Sequence, residues 1–223
     1  MKNLIFLTII LGYCFCSCSK EKCNDHLNEL PMYGRIIKCK EQIEYDNEFL
    51  SGCKKTFPDN DSAVRHHLLR GWEYLNNNDL NTSMKRFNQA WLLDSTKADI
   101  YWGFGALMGK KNNFKASVDF FERALALQKM DASAIIKGNL WRDAALSYEN
   151  YFYETKEIHY LNISIKYLKK SLEFNPDNPM AYHDLTVAYF YHSQNDSARK
   201  YMNLSDKYNP KFIPEELRKL ITK

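Results

Sequence analysis

Residues 71–90 read GWEYLNNNDLNTSMKRFNQA, and residues 105–124 read GALMGKKNNFKASVDFFERA. Four positions match at a spacing of 34 residues: Gly71 with Gly105, Tyr74 with Met108, Phe87 with Phe121, and Ala90 with Ala124. A fixed period of this size is typical of stacked helical hairpins, each of which buries its apolar face against its neighbours. The spacing therefore predicts a repeat scaffold with a binding surface rather than a single catalytic core.

The hairpins resemble the tetratricopeptide family, in which small residues lie where two helices cross closely and large residues fill the space between them. The last repeat fits the family pattern at Tyr182, Leu185, Tyr189, Ala198, Met202, Ser205 and Pro210. The repeats are assigned to residues 64–97, 98–131, about 132–178, and 179–212. The resemblance implies an all-α fold, a right-handed superhelical solenoid of helix-turn-helix repeats over residues 64–212.

The third repeat is longer than the others. Ala124 and Ser171 occupy the same repeat position but lie 47 residues apart, which leaves about 13 extra residues. We expect the surplus to lengthen the first helix and to enlarge the turn at residues 151–160, which is rich in aromatic side chains. Because sugars stack on aromatic rings, a glycan or another small ligand is an alternative partner for this insert.

The first residues predict an exported protein. A short basic start at residues 1–3 precedes an almost wholly apolar stretch at residues 4–15. The stretch is shorter than the roughly 20 residues of a membrane-spanning helix, and it is typical of a secretory signal.

The end of this signal resembles a bacterial lipoprotein signal, in which a small residue precedes the modified cysteine. Ser17 precedes Cys18, whereas bulky aromatic residues precede Cys14 and Cys16. We therefore predict a signal peptide over residues 1–17 and lipidation of Cys18. Metal binding by the three alternating cysteines is rejected, because this hydrophobic segment would be cleaved or inserted. The resemblance implies a lipid-anchored protein of the bacterial cell envelope, at the outer membrane.

The regions that flank the repeats have simpler patterns. The prediction assigns a tether to residues 18–34, an N-terminal helix and turn to residues 35–63, and a C-terminal capping helix to residues 213–223. The helix of the front region is expected to end before Pro58 and to cover the open end of the stack, since an interior repeat face is apolar.

Signal cleavage would leave Cys23, Cys39 and Cys53 besides Cys18. If one helix spans Cys39 and Cys53, the two lie about 21 Å apart, which is too far for a disulfide. Two alternatives remain open: Cys23 forms a disulfide with Cys39 or Cys53, or all three thiols are reduced.

The resemblance also implies that the first helix of each repeat lines the concave surface, where partners of this family usually bind. Inward positions are the fifth of each repeat, namely Leu68, Trp102, Arg142 and His183, and the ninth, namely Trp72, Ala106, Leu146 and Val187. We predict an apolar and aromatic groove with Arg142 as its one clear cation, suited to an extended or helical peptide. It lacks the set of Lys, Asn and Arg with which some members hold a peptide carboxylate. Alternatively, Trp72 and Trp102 pack as core, against the front helix or each other.

Other classes of protein are disfavoured. The formal net charge of +4 is mild and evenly spread, which argues against nucleic-acid binding. The histidines lack the four-residue spacing of a metal-binding helix, and no phosphate loop, nucleophile elbow or CxxC pair occurs. We therefore expect no enzymatic activity, no cofactor and no metal. The sequence predicts a membrane-anchored module for protein or peptide binding, and an outer-membrane assembly factor is an alternative by analogy of fold.

Overall fold

The structure, a computed structural model, describes residues 23–127 and 133–223. Within these ranges it contains helices and no strands, so the predicted all-α class is confirmed. The α-helices are α1 Lys40–Thr56, α2 Asn60–Asn76, α3 Leu80–Leu93, α4 Ala98–Lys110, α5 Phe114–Leu127, α6 Ala134–Thr155, α7 Ile158–Phe174, α8 Pro179–Tyr191, α9 Asn195–Asp206 and α10 Glu215–Thr222. Two short 3-10 turns, Leu27–Glu29 and Pro31–Arg35, precede α1.

Eight of these helices form four consecutive pairs, α2–α3, α4–α5, α6–α7 and α8–α9. Each pair packs against the next, and the first helices of neighbouring pairs approach one another more closely than the second helices do. The first helices α2, α4, α6 and α8 therefore line the inner face of the stack. At the far end, α10 packs against α9 and buries Ile221.

The glycines of the repeat permit the close helix crossings. Phe87 of α3 is fully buried between Gly71 of α2 and Gly103 of α4. A Cβ atom on either glycine would lie less than 3.0 Å from the Phe87 ring, and Gly105 stands in the same relation to Phe121. The 34-residue period thus reflects one repeated contact, in which an aromatic ring packs against a glycine of the neighbouring helix.

A hydrogen bond repeats with the same period. Ser83 donates its hydroxyl to the carbonyl of Gly71 at 2.9 Å, and Ser117 donates to the carbonyl of Gly105 at 2.8 Å. Both serines are buried, so each bond satisfies a hydroxyl that would otherwise destabilise the core. The bonds fix the level at which the second helix of each pair crosses the first.

The third pair is longer than the others while keeping their phase. Ala145 and Ser164 stand at the positions of Gly105 and Ser117, but they are separated by 19 residues instead of 12. Seven extra residues make about two helical turns. They lengthen the end of α6 and the start of α7, so the two helices still meet on the same faces.

The prediction that this repeat has a longer first helix is confirmed, since α6 spans 22 residues. The predicted enlarged turn at residues 151–160 is wrong, because only Lys156 and Glu157 separate α6 from α7. Neither Gly nor Pro occurs in this stretch to end a helix early. The helix ends where Lys156 takes a left-handed conformation, with φ of 61°.

The N-terminal segment is folded where the sequence suggested a tether. From Leu27 to Arg35 it packs against α3, and Leu27 and Tyr33 are buried. The side-chain amide of Asn88 donates to the carbonyls of Asn28 at 3.4 Å and Leu30 at 2.9 Å. The tether prediction is therefore wrong for residues 27–34, because it took no account of a buried amide on α3 that satisfies this backbone.

The cysteine alternatives resolve in favour of one pair. Cys23 and Cys39 form a disulfide, and Cys39 is the N-cap of α1, which begins at Lys40 rather than at residue 35. Among the described residues Cys53 is a free thiol; it is buried and its sulfur lies 3.8 Å from Nε2 of His67. The disulfide ties the start of the described chain to α1, which packs against α2.

Candidate partner-binding site on the inner face

Four of the five predicted groove residues lie half-buried on successive first helices. These are Trp72 on α2, Trp102 on α4, Arg142 on α6 and His183 on α8. Leu68 differs from them, because it is 9% exposed and packs within the hydrophobic core. Leu68 therefore belongs to the core rather than to the open part of the groove.

The two tryptophans pack together and remain partly accessible. The rings of Trp72 and Trp102 meet edge to face with centroids 6.1 Å apart, and Trp72 also meets Phe87 at 5.7 Å. The two tryptophans thus pack against each other, as the alternative expected, but both stay half-buried at the edge of the core. The indole N–H of Trp102 donates to Oδ2 of Asp143 at 2.9 Å, which holds one ring in a fixed orientation.

Arg142 is held by a carboxylate of the next repeat. Its Nε donates to Oδ2 of Asp184 at 2.6 Å, and its Nη1 lies 3.8 Å from Asp143. The other carboxylate oxygen of Asp184 lies 2.9 Å from Nδ1 of His183. Asp184 is buried, so this ion pair is shielded from water. Arg142 lies on the inner face as predicted, and its charge is already balanced there by Asp184.

The two cross-repeat bonds follow one rule. Trp102 and Arg142 occupy the fifth position of their repeats, and their acceptors Asp143 and Asp184 occupy the sixth position of the next repeat. The first repeat cannot make this bond, because Leu68 stands at its fifth position and Gly103 at the sixth position of the second. The rule links α4, α6 and α8 through polar side chains on the inner face.

A buried carboxylate, which the sequence did not single out, lies on the same helix. Arg142, Leu146, Glu149 and Tyr153 follow one another at helical spacing along the inner stripe of α6. Glu149 is 6% exposed; its Oε1 accepts a hydrogen bond from the Tyr153 hydroxyl, and its Oε2 has no hydrogen-bond partner. Burial raises the pKa of Glu149 to about 7, and the neighbouring Asp184 adds to the rise.

The charges make the inner face acidic as well as aromatic. Burial raises the pKa of Asp143 on α6, and the neighbouring Asp184 adds to the rise. Asp143, Glu149 and Asp184 share the charge of one guanidinium, that of Arg142, on the described part of α6 and α8, with His183 beside Asp184. The prediction of a mainly apolar groove is therefore wrong for α6 and α8, because Asp143 and Asp184 at the sixth positions and Glu149 at a twelfth position place carboxylates on this face.

The aromatic residues of the long hairpin pack on one another. Tyr151 and Tyr160 join α6 to α7 with ring centroids 4.4 Å apart, and Tyr148 stacks on Tyr160 at 6.3 Å. Tyr153 reaches across to Tyr191 at the end of α8, at 5.0 Å.

Two further properties concern cofactors and membranes. In residues 23–127 and 133–223, no three His, Cys, Asp or Glu side chains form a group that is able to hold a metal ion. Over the same residues, no helix combines the length and the apolar character that crossing a bilayer requires.

Comparison with known proteins connects this geometry to a fold. No family model and no curated protein matches the sequence. Solved structures do match. A chain of the APC/C hetero-tetramer Cut9–Hcn1 is 12% identical with a TM-score of 0.62, and the match covers 72% of this chain but only 29% of that one.

Two smaller proteins match over most of their length. YrrB, a tetratricopeptide protein with an unusual peptide-binding site, is 18% identical with a TM-score of 0.54, covering 73% of this chain and 75% of YrrB. MamA is 19% identical with a TM-score of 0.55, covering 79% of this chain and 97% of MamA. The chain therefore has the tetratricopeptide-repeat solenoid fold, and the predicted fold is confirmed.

Proposed function

We propose that this chain is a membrane-anchored tetratricopeptide-repeat protein that binds a protein or peptide partner on its inner face, in the bacterial cell envelope. One observation carries the proposal, the continuous line of half-buried aromatic and charged side chains from Trp72 to His183. Its members are fixed by bonds between repeats, such as Trp102 to Asp143 and Arg142 to Asp184. Side chains that are already ordered lose little entropy when a partner binds.

The fold supports the same proposal. YrrB has a peptide-binding site, and Cut9 and Hcn1 are parts of one protein assembly, so this solenoid serves peptide and protein binding elsewhere. Aromatic and arginine side chains are also the residues that contribute most to binding energy at protein interfaces. Here they lie on first helices, which form a rigid surface rather than flexible loops.

Site-specific photocrosslinking tests the binding face. Leu146 on α6 and Val187 on α8 are half-buried inner positions, so a benzoylphenylalanine at either one faces the groove. We expect these variants, expressed in the native membrane and irradiated, to crosslink to one common partner. Asp119, on the exposed side of α5, is the matched control and is expected to give no such product. A partner captured from Asp119 and from neither inner position would refute the groove assignment.

The anchor is a separate part of the proposal. Residues 1–17 and Cys18 lie outside the described residues, and their assignment as signal peptide and lipid site follows from the sequence pattern. A cysteine that carries several acyl chains anchors stably, whereas a single chain anchors only marginally. We infer that this anchor holds the chain at the outer membrane, with the solenoid beginning shortly after it.

Cys18→Ser is expected to abolish acylation. The variant has no acceptor thiol, so a clickable fatty acid fed to the cells should label the parent chain and leave the variant unlabelled. Mass spectrometry should show that the variant keeps its signal peptide. Cys14→Ser and Cys16→Ser are controls that should keep the label. Persistent labelling of Cys18→Ser would move the site elsewhere, and density-gradient separation of the two membranes would test the outer-membrane location.

A further inference from the structure

The inner face between α6 and α8 holds more negative charge than the fold neutralises. Asp184 is matched by Arg142, which donates to it at 2.6 Å. Glu149 lies two helical turns after Arg142 on the same stripe of α6; the charges of His183 and Arg142 reach it, but it forms no ion pair with any cation of the described residues. We call the inner surface formed by Leu146, Glu149 and Tyr153 of α6 and by Val187 and Tyr191 of α8 the furrow; Glu149 makes it acidic.

Glu149 has an unmet hydrogen-bonding capacity. Its side chain is 6% exposed, and Oε2 has no hydrogen-bond partner, while Oε1 accepts from Tyr153. A carboxylate oxygen that is buried without a donor is costly, and folded proteins rarely keep one that serves no purpose. A donor that arrives from outside, most favourably a charged one, would satisfy this oxygen.

The mouth of the furrow suits a long cationic side chain. Tyr153 and Tyr191 meet with ring centroids 5.0 Å apart, and Tyr191 is 50% exposed. Tyrosine rings attract ammonium and guanidinium groups through their electron-rich faces. Half-buried Leu146 and Val187 lie along the same stripes and offer apolar surface to the methylene stem of such a side chain.

We propose that this furrow is a subsite for a lysine or arginine side chain of the peptide partner, with Glu149 as its counter-charge. The inference rests on the proposed peptide-binding function and specifies its partner. An acidic anchor would be repelled by Glu149 and Asp184, and a purely apolar anchor would leave Oε2 of Glu149 unpaired. Charge complementarity thus favours a basic peptide over either of these.

Selection from a peptide library tests the subsite. Phage-displayed random dodecapeptides are selected at pH 8 on the detergent-solubilised full chain, on Glu149→Gln, and on Glu154→Gln. Glu154 is exposed on the same helix, so it controls for the loss of one negative charge. We expect a fixed Lys or Arg in the peptides selected by the parent chain and by Glu154→Gln, and no such preference with Glu149→Gln.

Matched synthetic peptides give the magnitude. Replacing the selected Lys by norleucine keeps the stem and removes the charge, and we expect about tenfold weaker binding to the parent chain. Glu149→Gln should bind both peptides equally. Selection of acidic or wholly apolar peptides, of no peptides at all, or a lysine preference that survives in Glu149→Gln would overturn the subsite. Crosslinking from Leu146 or Val187 without a cation preference would refute this subsite alone, whereas crosslinking confined to Asp119 would refute the groove itself.

Discussion

Glu149→Gln is expected to stabilise the folded protein by about 3 kcal/mol at pH 8 and to change its stability little at pH 4. Burial raises the pKa of Glu149 from 4.5 to about 7, with Asp184 adding to the rise and Tyr153, His183 and Arg142 opposing it. The folded chain therefore keeps a proton that the unfolded chain releases. The contribution of Glu149 to the free energy of unfolding is fully present below pH 4.5, the pKa in the unfolded chain, and is lost as the pH rises through about 7, the pKa in the folded chain. Glutamine resembles the protonated acid and still accepts from Tyr153, so it escapes this loss.

The measurement is a urea titration of the parent chain and the variant at pH 4, 6 and 8. The difference in unfolding free energy should grow with pH, and Glu154→Gln, at an exposed position of the same helix, should stay within about 0.5 kcal/mol of the parent throughout. Burial also lowers the pKa of His67 to about 4, so acid destabilises every variant alike and cancels in the comparison. An equal effect of Glu149→Gln at pH 4 and pH 8 would mean that Glu149 is not desolvated in the folded chain.

The same substitution links stability to binding. If Glu149 binds a cationic side chain of the partner, Glu149→Gln should be more stable than the parent chain at pH 8 and should also lose the preference for lysine. Buried charges that destabilise a fold are commonly kept for function. A bound cation would recover part of the destabilisation, so a selected basic peptide should raise the unfolding midpoint of the parent chain more than that of Glu149→Gln.

The scaffold was predictable because its constraints recur along the chain. Gly71 contacts Phe87 and Gly105 contacts Phe121, because a Cβ atom on either glycine would clash with the ring. The same contact therefore appears in the sequence twice, as a Gly and a Phe at fixed repeat positions. The N-terminal segment has no such repeated pattern. Its hydrogen bonds to Asn88 join residues 60 and 58 apart and do not recur in the other repeats, so no pattern in the sequence distinguishes this segment from an extended tether.

The site was predictable only in part, because its bonds cross between repeats. Trp102 and Arg142 were found by their inward position, but their partners Asp143 and Asp184 lie 41 and 42 residues further on, at a spacing that the long third repeat alters. The partners could have been predicted from the rule that the fifth position of one repeat bonds to the sixth position of the next. Applying this rule requires the repeat boundaries before and after the insert to be known. Glu149 carries no periodic mark, since the other repeats have Leu75, Gly109 and Phe190 at the equivalent twelfth position.

Gly71→Ala is expected to destabilise the protein by about 3 kcal/mol, because it overpacks a contact that has no room to relax. The new Cβ atom would lie less than 3.0 Å from the Phe87 ring. Phe87 is fully buried, and on its other side Gly103 is equally close, so the ring has nowhere to move. The repeats share this crossing between α2, α3 and α4, and we expect the loss to appear as a lower unfolding midpoint of the whole solenoid.

Gly52→Ala is the matched control, because Gly52 lies in an exposed position of α1, where the new Cβ would meet nothing within 4 Å except the adjoining backbone of its own helix. There alanine should stabilise the protein by about 0.5–1 kcal/mol, since it replaces a poor helix former. Chemical denaturation compares the two variants with a third, Gly71→Ala combined with Phe87→Leu. If the clash is the cause, the smaller side chain should recover part of the loss, so that the two changes together cost less than the sum of their separate effects. Strict additivity, or a Gly71→Ala variant as stable as Gly52→Ala, would show that Phe87 does not rest on Gly71.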